Sequence, residues 1–191
     1  SLQRTITLAK DQFNLNDVEE IDWYNAYYLH EQDFVNLIDI TGTNGGGREF
    51  YGETLNLKHN KLTITLPTSY ARTDMKAHCN IQFAANSGQN TTASVRVNYA
   101  GKTETKKIKG LTDEHTRARL DSLILDVNPV SGSEQIFNFT FSGSTSNANA
   151  YLNYIELNIP CSLIMTGNEM PISSKTIQSK KPVIRYRLQG T

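Results

Sequence analysis

Alternation of apolar and polar side chains dominates this sequence and predicts short β-strands. Leu62, Ile64 and Leu66, for example, alternate with threonines, and a period of two places all three on one face of a strand. Runs of this kind, bounded by turn-forming residues, predict strands over Phe34–Ile40, Lys61–Leu66, Ala77–Ala85, Ala93–Tyr99, Glu104–Lys109, Leu120–Val127, Glu134–Phe141, Tyr151–Ile159 and Val183–Leu188.

The predicted strands each have one apolar and one polar face, which is typical of antiparallel strands with one buried side. Polar loops such as residues 41–48 and 142–150 separate them. The fold class is therefore predicted to be all-β, an antiparallel two-sheet β-sandwich of jelly-roll form. One short helix is a further candidate, either within Leu8–Tyr24 or over Asp113–Leu120 behind a Thr112 cap.

Composition supports this interpretation and argues against two function classes. The 191 residues include 18 Asn, 20 Thr and 14 Ser, residue types that favour turns and strands over helices. Basic and acidic residues balance at 19 each, so the chain lacks the positive charge by which proteins bind nucleic acid. No apolar run reaches the roughly 18 residues of a membrane span, and neither nucleic-acid binding nor membrane insertion is predicted.

The residue types that carry catalysis do not assemble along the sequence. His78 precedes Cys79, but neighbours on a strand point to opposite faces, so His78 cannot act as the base for this thiol. Cys79 and Cys161 are too few for a zinc site or a disulfide framework, and a single bridge between them remains open. We therefore predict a chain that is not an enzyme and that has no cofactor and no metal.

A change in composition suggests a domain boundary near residue 160. Pro160, Pro171 and Pro182 are accompanied by several serines, as in a connector. We predict an N-terminal lead-in over residues 1–27, a β-sandwich domain over 28–160, and a connector with the start of a following strand or domain over 161–191. The first residue is Ser rather than Met, and we expect the chain to be an excerpt of a longer polypeptide.

Several segments, in the same order, resemble one family of bacterial peptidases. Residues 28–36, and 47–53 after a loop, resemble the region ahead of the catalytic domain in PorU-type type IX secretion sortases, which are gingipain-related family C25 cysteine peptidases of Bacteroidetes. Residues 62–67, 151–158 and 170–172 resemble later parts of that region. The residues that match the family motifs are His30, Glu31, Asp33, Asn36, Gly47, Arg48, Phe50, Tyr51, Gly52, Glu53, Tyr154, Glu156 and Asn158.

This resemblance implies a non-catalytic β-sandwich module that precedes a cysteine peptidase domain in an exported protein of the bacterial cell envelope or cell surface. The motif residues would then be structural, and the module would act in packing, presentation or docking. Its partners would be the adjacent domain of the same polypeptide and components of the secretion system or cell surface. The alternative is a carbohydrate-binding or adhesion module, because exposed members of the nine tyrosines could stack on sugars.

Overall fold

The computed structural model describes residues 18–37, 50–112, 116–165 and 183–190, and its regular structure is entirely β. The strands are β1 Val18–Ile21, β2 Trp23–Glu31, β3 Thr54–Asn56, β4 Lys61–Pro67, β5 Ala77–Asn86, β6 Thr92–Tyr99, β7 Lys102–Lys109, β8 Arg119–Val127, β9 Glu134–Gly143, β10 Asn149–Ser162, β11 Ile164–Met165, β12 Val183–Tyr186 and β13 Gln189–Gly190.

Eight of these strands form two antiparallel sheets. Sheet I has the order β2-β10-β5-β8, with the short β3 beside the start of β10, and sheet II has the order β4-β9-β6-β7. If these eight strands are renumbered 1 to 8 in chain order, sheet I has the order 1-8-3-6 and sheet II has the order 2-7-4-5. This nesting of two Greek keys is the jelly-roll arrangement, and the predicted sandwich is confirmed.

Inward-facing residues of both sheets fill one core. Phe137, Phe139 and Phe141 alternate with exposed residues along β9, and all three are buried. The ring of Tyr99 on β6 stacks on that of Phe137, with 4.2 Å between the ring centroids. Aromatic pairs of this kind contribute about 0.5–1.5 kcal/mol beyond their buried area.

The two cysteines belong to this core and are not bridged. Cys79 and Cys161 are both free and buried. Cys79 lies opposite Leu157 in the β5–β10 register, four residues from Cys161 along β10. At about 3.3 Å per residue, that offset amounts to roughly 13 Å and exceeds the reach of a disulfide.

Two sequence-based expectations about local structure are wrong. The helix candidate within Leu8–Tyr24 fails in its described part, because residues 18–21 form β1 and β2 begins at Trp23. The strand expected over Phe34–Ile40 is reduced to a single bridge between Val35 and Tyr51, and residues 38–40 lie outside the described ranges.

The second helix candidate, over residues 113–120, is also wrong where it is described, since residues 116–118 are irregular and β8 begins at Arg119. No helix occurs elsewhere in the described ranges. β2 starts inside the segment assigned to the lead-in, and β10 continues to Ser162. The division into a lead-in, a sandwich and a connector stays a prediction.

Short parallel pairs close one end of the sandwich, which we call the base. β12 runs parallel to β1, and β13 runs parallel to β11. The backbone amide of Leu163 donates to the carbonyl of Asp22, and that of Gln189 donates to the carbonyl of Leu163, both at 2.8 Å. These bonds join residues 183–190 to the start of β2 and the end of β10.

Candidate interaction surface

Two motif residues form a polar pair at the end of sheet I opposite the base. His30 Nε2 lies 2.9 Å from Glu53 Oε1, and the two side chains are only 17% and 21% exposed. Glu53 Oε2 is buried and has no hydrogen-bond partner. The pair connects the end of β2 with the segment that leads into β3, so its geometry is that of a structural contact between chain segments.

Two neighbouring motif residues hold the same segment against sheet I. The amide of Gly52 donates to the carbonyl of Leu152 at 2.7 Å, and a Cβ on Gly52 would lie 3.0 Å from that of Gln32. Glycine therefore permits this close approach. The ring centroid of Tyr51 lies 6.4 Å from that of Tyr151, and Tyr51 is buried in a small cluster with Leu37 and Ala84.

The remaining motif residues of this region are on the surface or outside the described ranges. Phe50 and Asp33 are exposed, and Asn36 is half-buried. Gly47 and Arg48 lie outside the described residues, so their predicted role stays a prediction.

The other motif residues lie on the side of sheet I that faces away from the core. We call this surface the outer face. Strand register aligns one residue from each of its four strands in a row, with Glu156 of β10 between Leu29 of β2 and Asn80 of β5, followed by Ile124 of β8. The outer face consists of Tyr27, Leu29, Glu31, His78, Asn80, Gln82, Leu120, Ser122, Ile124, Asp126, Tyr154, Glu156 and Asn158.

A hydrogen-bond network occupies the centre of the outer face. The Tyr27 hydroxyl donates to Glu156 Oε1 at 3.2 Å, and Asn80 Nδ2 donates to Glu156 Oε2 at 3.1 Å. Asn80 Nδ2 also donates to the hydroxyl of Tyr154 at 3.3 Å. Lost hydration and the bond to Glu156 raise the pKa of Tyr27, so this hydroxyl stays protonated and remains a donor at neutral pH.

The outer face carries negative charge. Both donors to Glu156 are neutral, and no Lys or Arg occupies an outward-facing position of β2, β5, β8 or β10. Asp126 lies 2.8 Å from His78 Nδ1, and this hydrogen bond lowers the pKa of Asp126, with smaller contributions from the nearby charges of Lys102 and Lys76. With Glu31 as the third acid, the outer face complements a basic surface.

Large apolar side chains flank the polar centre. Tyr27 and Leu29 on β2, and Leu120 and Ile124 on β8, are about half exposed. The outward side of sheet II differs, because Ile136 is the one large exposed hydrophobic among the outward positions of its strands, which otherwise carry mainly Thr, Ser, Asn and charged residues. Apolar patches with polar neighbours mark interaction sites, so the outer face is the candidate site.

Neither cysteine thiol is activated for chemistry. Burial raises the pKa of Cys79 to about 12 and that of Cys161 to about 11, so both thiols remain protonated at neutral pH and are not activated nucleophiles. Within the described ranges, no group of three or more His, Cys, Asp or Glu could hold a metal ion. The same ranges contain no helix that is long and apolar enough to cross a membrane.

Comparison with known proteins gives a likeness of fold. No protein-family model matches the sequence, and no curated protein matches it. Dimeric latent PorU from Porphyromonas gingivalis superposes with a TM-score of 0.61 at 17% identity, over 80% of this chain and 14% of that one. This chain thus has the fold of a PorU-like domain and spans about one seventh of the PorU chain.

Two further solved structures match less well. The mosquito-larvicidal Cry4Aa toxin from Bacillus thuringiensis matches with a TM-score of 0.39 and 16% identity, over 52% of this chain and 18% of that one. Carbohydrate-binding module CBM36, in complex with calcium and xylotriose, matches with a TM-score of 0.37 and 14% identity, over 68% of this chain and 87% of that one. Similarities this low carry no functional argument.

Proposed function

We propose that this chain is a non-catalytic jelly-roll module that docks, through its outer face, onto a neighbouring C25-type cysteine peptidase domain of an exported bacterial protein. The observation that carries the proposal is the outer face itself, where apolar flanks surround a carboxylate held by neutral donors only. The PorU-like fold and the motif residues Tyr154, Glu156 and Asn158 on that face support the same assignment.

The chemistry of the outer face defines the partner surface. Leu29 and Ile124 are large apolar side chains on β2 and β8, the two edge strands of sheet I. Burial of either side chain by a partner would favour binding. Glu156 has fixed geometry because Tyr27 and Asn80 hold both of its oxygens. A partner with apolar side chains around a Lys or Arg would satisfy both features, and Arg would pair with the carboxylate most specifically.

The peptidase parent, its export and its location at the cell surface are parts of the same proposal. Secretion-system or cell-surface components are further candidate partners for the outer face. The described residues supply no activated thiol, and the module would act by positioning the peptidase domain rather than by chemistry of its own.

A pair of matched variants tests the outer face. Ile124 and Ile136 are both outward-facing strand isoleucines, 56% and 45% exposed, on opposite sheets. We expect Ile124→Asp to weaken association of residues 1–191 with the separately produced remainder of the parent polypeptide by about tenfold or more, and Ile136→Asp to leave it unchanged. Biolayer interferometry measures both constants, and circular dichroism verifies the fold of each variant.

Two results would contradict the proposal. One is a parent polypeptide whose coding sequence contains no cysteine peptidase domain. The other is a binding constant that responds equally to Ile124→Asp and Ile136→Asp, or to neither, which would remove the outer face from the interface.

A further inference from the structure

A cleft of about 570 Å³ opens at the base, away from the centre of the outer face. Three chain segments line it: the connection from β4 to β5, the turn from β8 to β9, and the segment that leads from the end of β10 into β11. Its volume lies within the range of about 300–1,000 Å³ found for small-molecule sites. The lining residues that matter here are Thr68, Tyr70, Ser131, Ser133, Ser162 and Ile164; we call this site the base cleft.

The base cleft is rich in hydroxyl groups and lacks charge. Its lining residues are Ser, Thr, Tyr, Gly, Ala and Ile, without a single acid or base among them. The hydroxyls of Ser131, Ser133 and Ser162 make no hydrogen bond to other described residues. Each hydroxyl can donate one hydrogen bond and accept two. A charged ligand would find no counter-charge here, whereas a neutral ligand with many hydroxyl groups would find matching partners.

An aromatic ring stands at the cleft in a strained backbone conformation. Tyr70 has a φ of 53°, in the left-handed region that is unfavourable for a residue with a Cβ. The segment is held in place because the amide of Ser162 donates to the carbonyl of Tyr70 at 2.9 Å, and that of Arg72 donates to the carbonyl of Pro160 at 2.8 Å. Backbone strain of this kind concentrates at functional sites.

The opposite wall is fixed from inside the core. The fully buried amide group of Gln135 accepts from the backbone amide of Val130 at 3.2 Å and donates to its carbonyl at 2.8 Å. The amide of Thr68 donates to the carbonyl of Ser133 at 2.7 Å. Both walls are therefore preformed, which reduces the entropy lost when a ligand binds.

We propose that the base cleft binds a single neutral sugar unit. The ring of Tyr70 stacks on the apolar C–H face of a sugar, and the serine hydroxyls bond its hydroxyl groups. This site is separate from the centre of the outer face, so the chain has one surface for a protein domain and one cleft for a sugar.

Titration of the ¹⁵N-labelled chain with neutral sugars, followed by NMR, tests the proposal. The probes are glucose, galactose, xylose and N-acetylglucosamine, with glucuronic acid as the charged comparison. We expect saturable changes in amide chemical shift at residues 68–71, 131–133 and 162 for at least one neutral sugar, with a Kd below about 10 mM.

Variants at two exposed tyrosines assign the effect. Tyr70→Ala should weaken binding about tenfold, and Tyr70→Phe, which keeps the ring, should stay within about threefold. Tyr70→Gly removes the ring and also relieves the backbone strain, so it should bind as weakly as Tyr70→Ala in a chain that folds at least as well. Tyr27→Ala on the outer face, where Tyr27 is 55% exposed against 41% for Tyr70, is the matched control and should bind normally.

Three outcomes would overturn the proposal. They are the absence of saturable shifts with every neutral sugar, shifts that cluster on the outer face and disappear in Tyr27→Ala, and tighter binding of glucuronic acid than of any neutral sugar. If sugars bind at the outer face instead, the base cleft is not the sugar-binding site.

Discussion

Replacement of Gln135 by leucine is expected to destabilise the sandwich, mainly because the buried hydroxyl of Tyr99 loses its hydrogen-bond acceptor. Gln135 is fully buried, and its Oε1 accepts from the Tyr99 hydroxyl at 3.0 Å. Burial raises the pKa of Tyr99, so that hydroxyl remains a donor throughout the accessible pH range. Leucine has nearly the same size as glutamine but cannot accept this hydrogen bond.

The expected cost follows from the groups that lose a partner. Tyr99 is fully buried, and an unsatisfied buried hydroxyl costs about 1–3 kcal/mol. The amide and carbonyl of Val130 also lose Gln135, and so does the Thr68 hydroxyl, which accepts from Gln135 Nε2 over a long contact of 3.4 Å. Because Val130 is half exposed, water can replace part of this loss, which amounts to about 0.5–1 kcal/mol. We expect Gln135→Leu to lower the free energy of unfolding by about 1.5–4 kcal/mol.

Urea denaturation followed by circular dichroism measures this change. With a slope of about 2 kcal/mol/M, the midpoint should fall by about 1–2 M while the slope stays constant. The double variant Tyr99→Phe/Gln135→Leu removes the Tyr99 hydroxyl together with its acceptor. It should therefore be no less stable than Gln135→Leu. If the costs of the two single changes instead add in full, the hydroxyl is not the source of the loss.

Three further predictions concern other parts of the chain. The Cys79 thiol, whose pKa burial raises to about 12, should not react with Ellman's reagent at pH 8 until urea unfolds the chain. Gly110→Ala should cost about 2–4 kcal/mol in urea denaturation, since its Cβ would lie 1.9 Å from the carbonyl oxygen of Gly88. The hydrogen bond from Arg72 lowers the pKa of Asp74 from 3.8 to about 2. The stability that ionised Asp74 contributes to the fold is therefore fully present above pH about 4 and is lost as the pH falls through 2. The difference in Tm between Asp74→Asn and the original chain should shrink over that range.

The sandwich strands could be predicted wherever the two faces of a strand differ in polarity. β9 is the clearest case, because three phenylalanines face the core while Asn138 and Thr140 face outward. β2 was missed because both of its faces carry large side chains: Tyr24 and Tyr28 face inward, whereas Tyr27 and Leu29 face outward. The alternation signal disappears in such a strand.

The candidate surface could be predicted only in part. The motif resemblance singled out Glu156 and Tyr154 as structural residues, not as part of an interaction surface. It did not single out Asn80 or Ile124, which join them through strand pairing. Tyr27 and Glu156 are separated by 129 positions in the chain, and the register that brings them together depends on the whole jelly roll. Apolar residues on the outward side of β2 were the sequence signal that could have indicated the surface.

The parallel pairing of β1 with β12 has a mechanical consequence. Residues Val18–Ile21 lie beside Val183–Tyr186 in the same direction, and the amide of Arg187 extends the contact with a bond of 2.8 Å to the carbonyl of Ile21. A force that pulls the two ends of the chain apart slides these strands along each other, so it loads their hydrogen bonds together in shear rather than opening them one at a time. Stretching of single molecules from both ends should therefore show a force peak that disappears when residues 183–190 are removed.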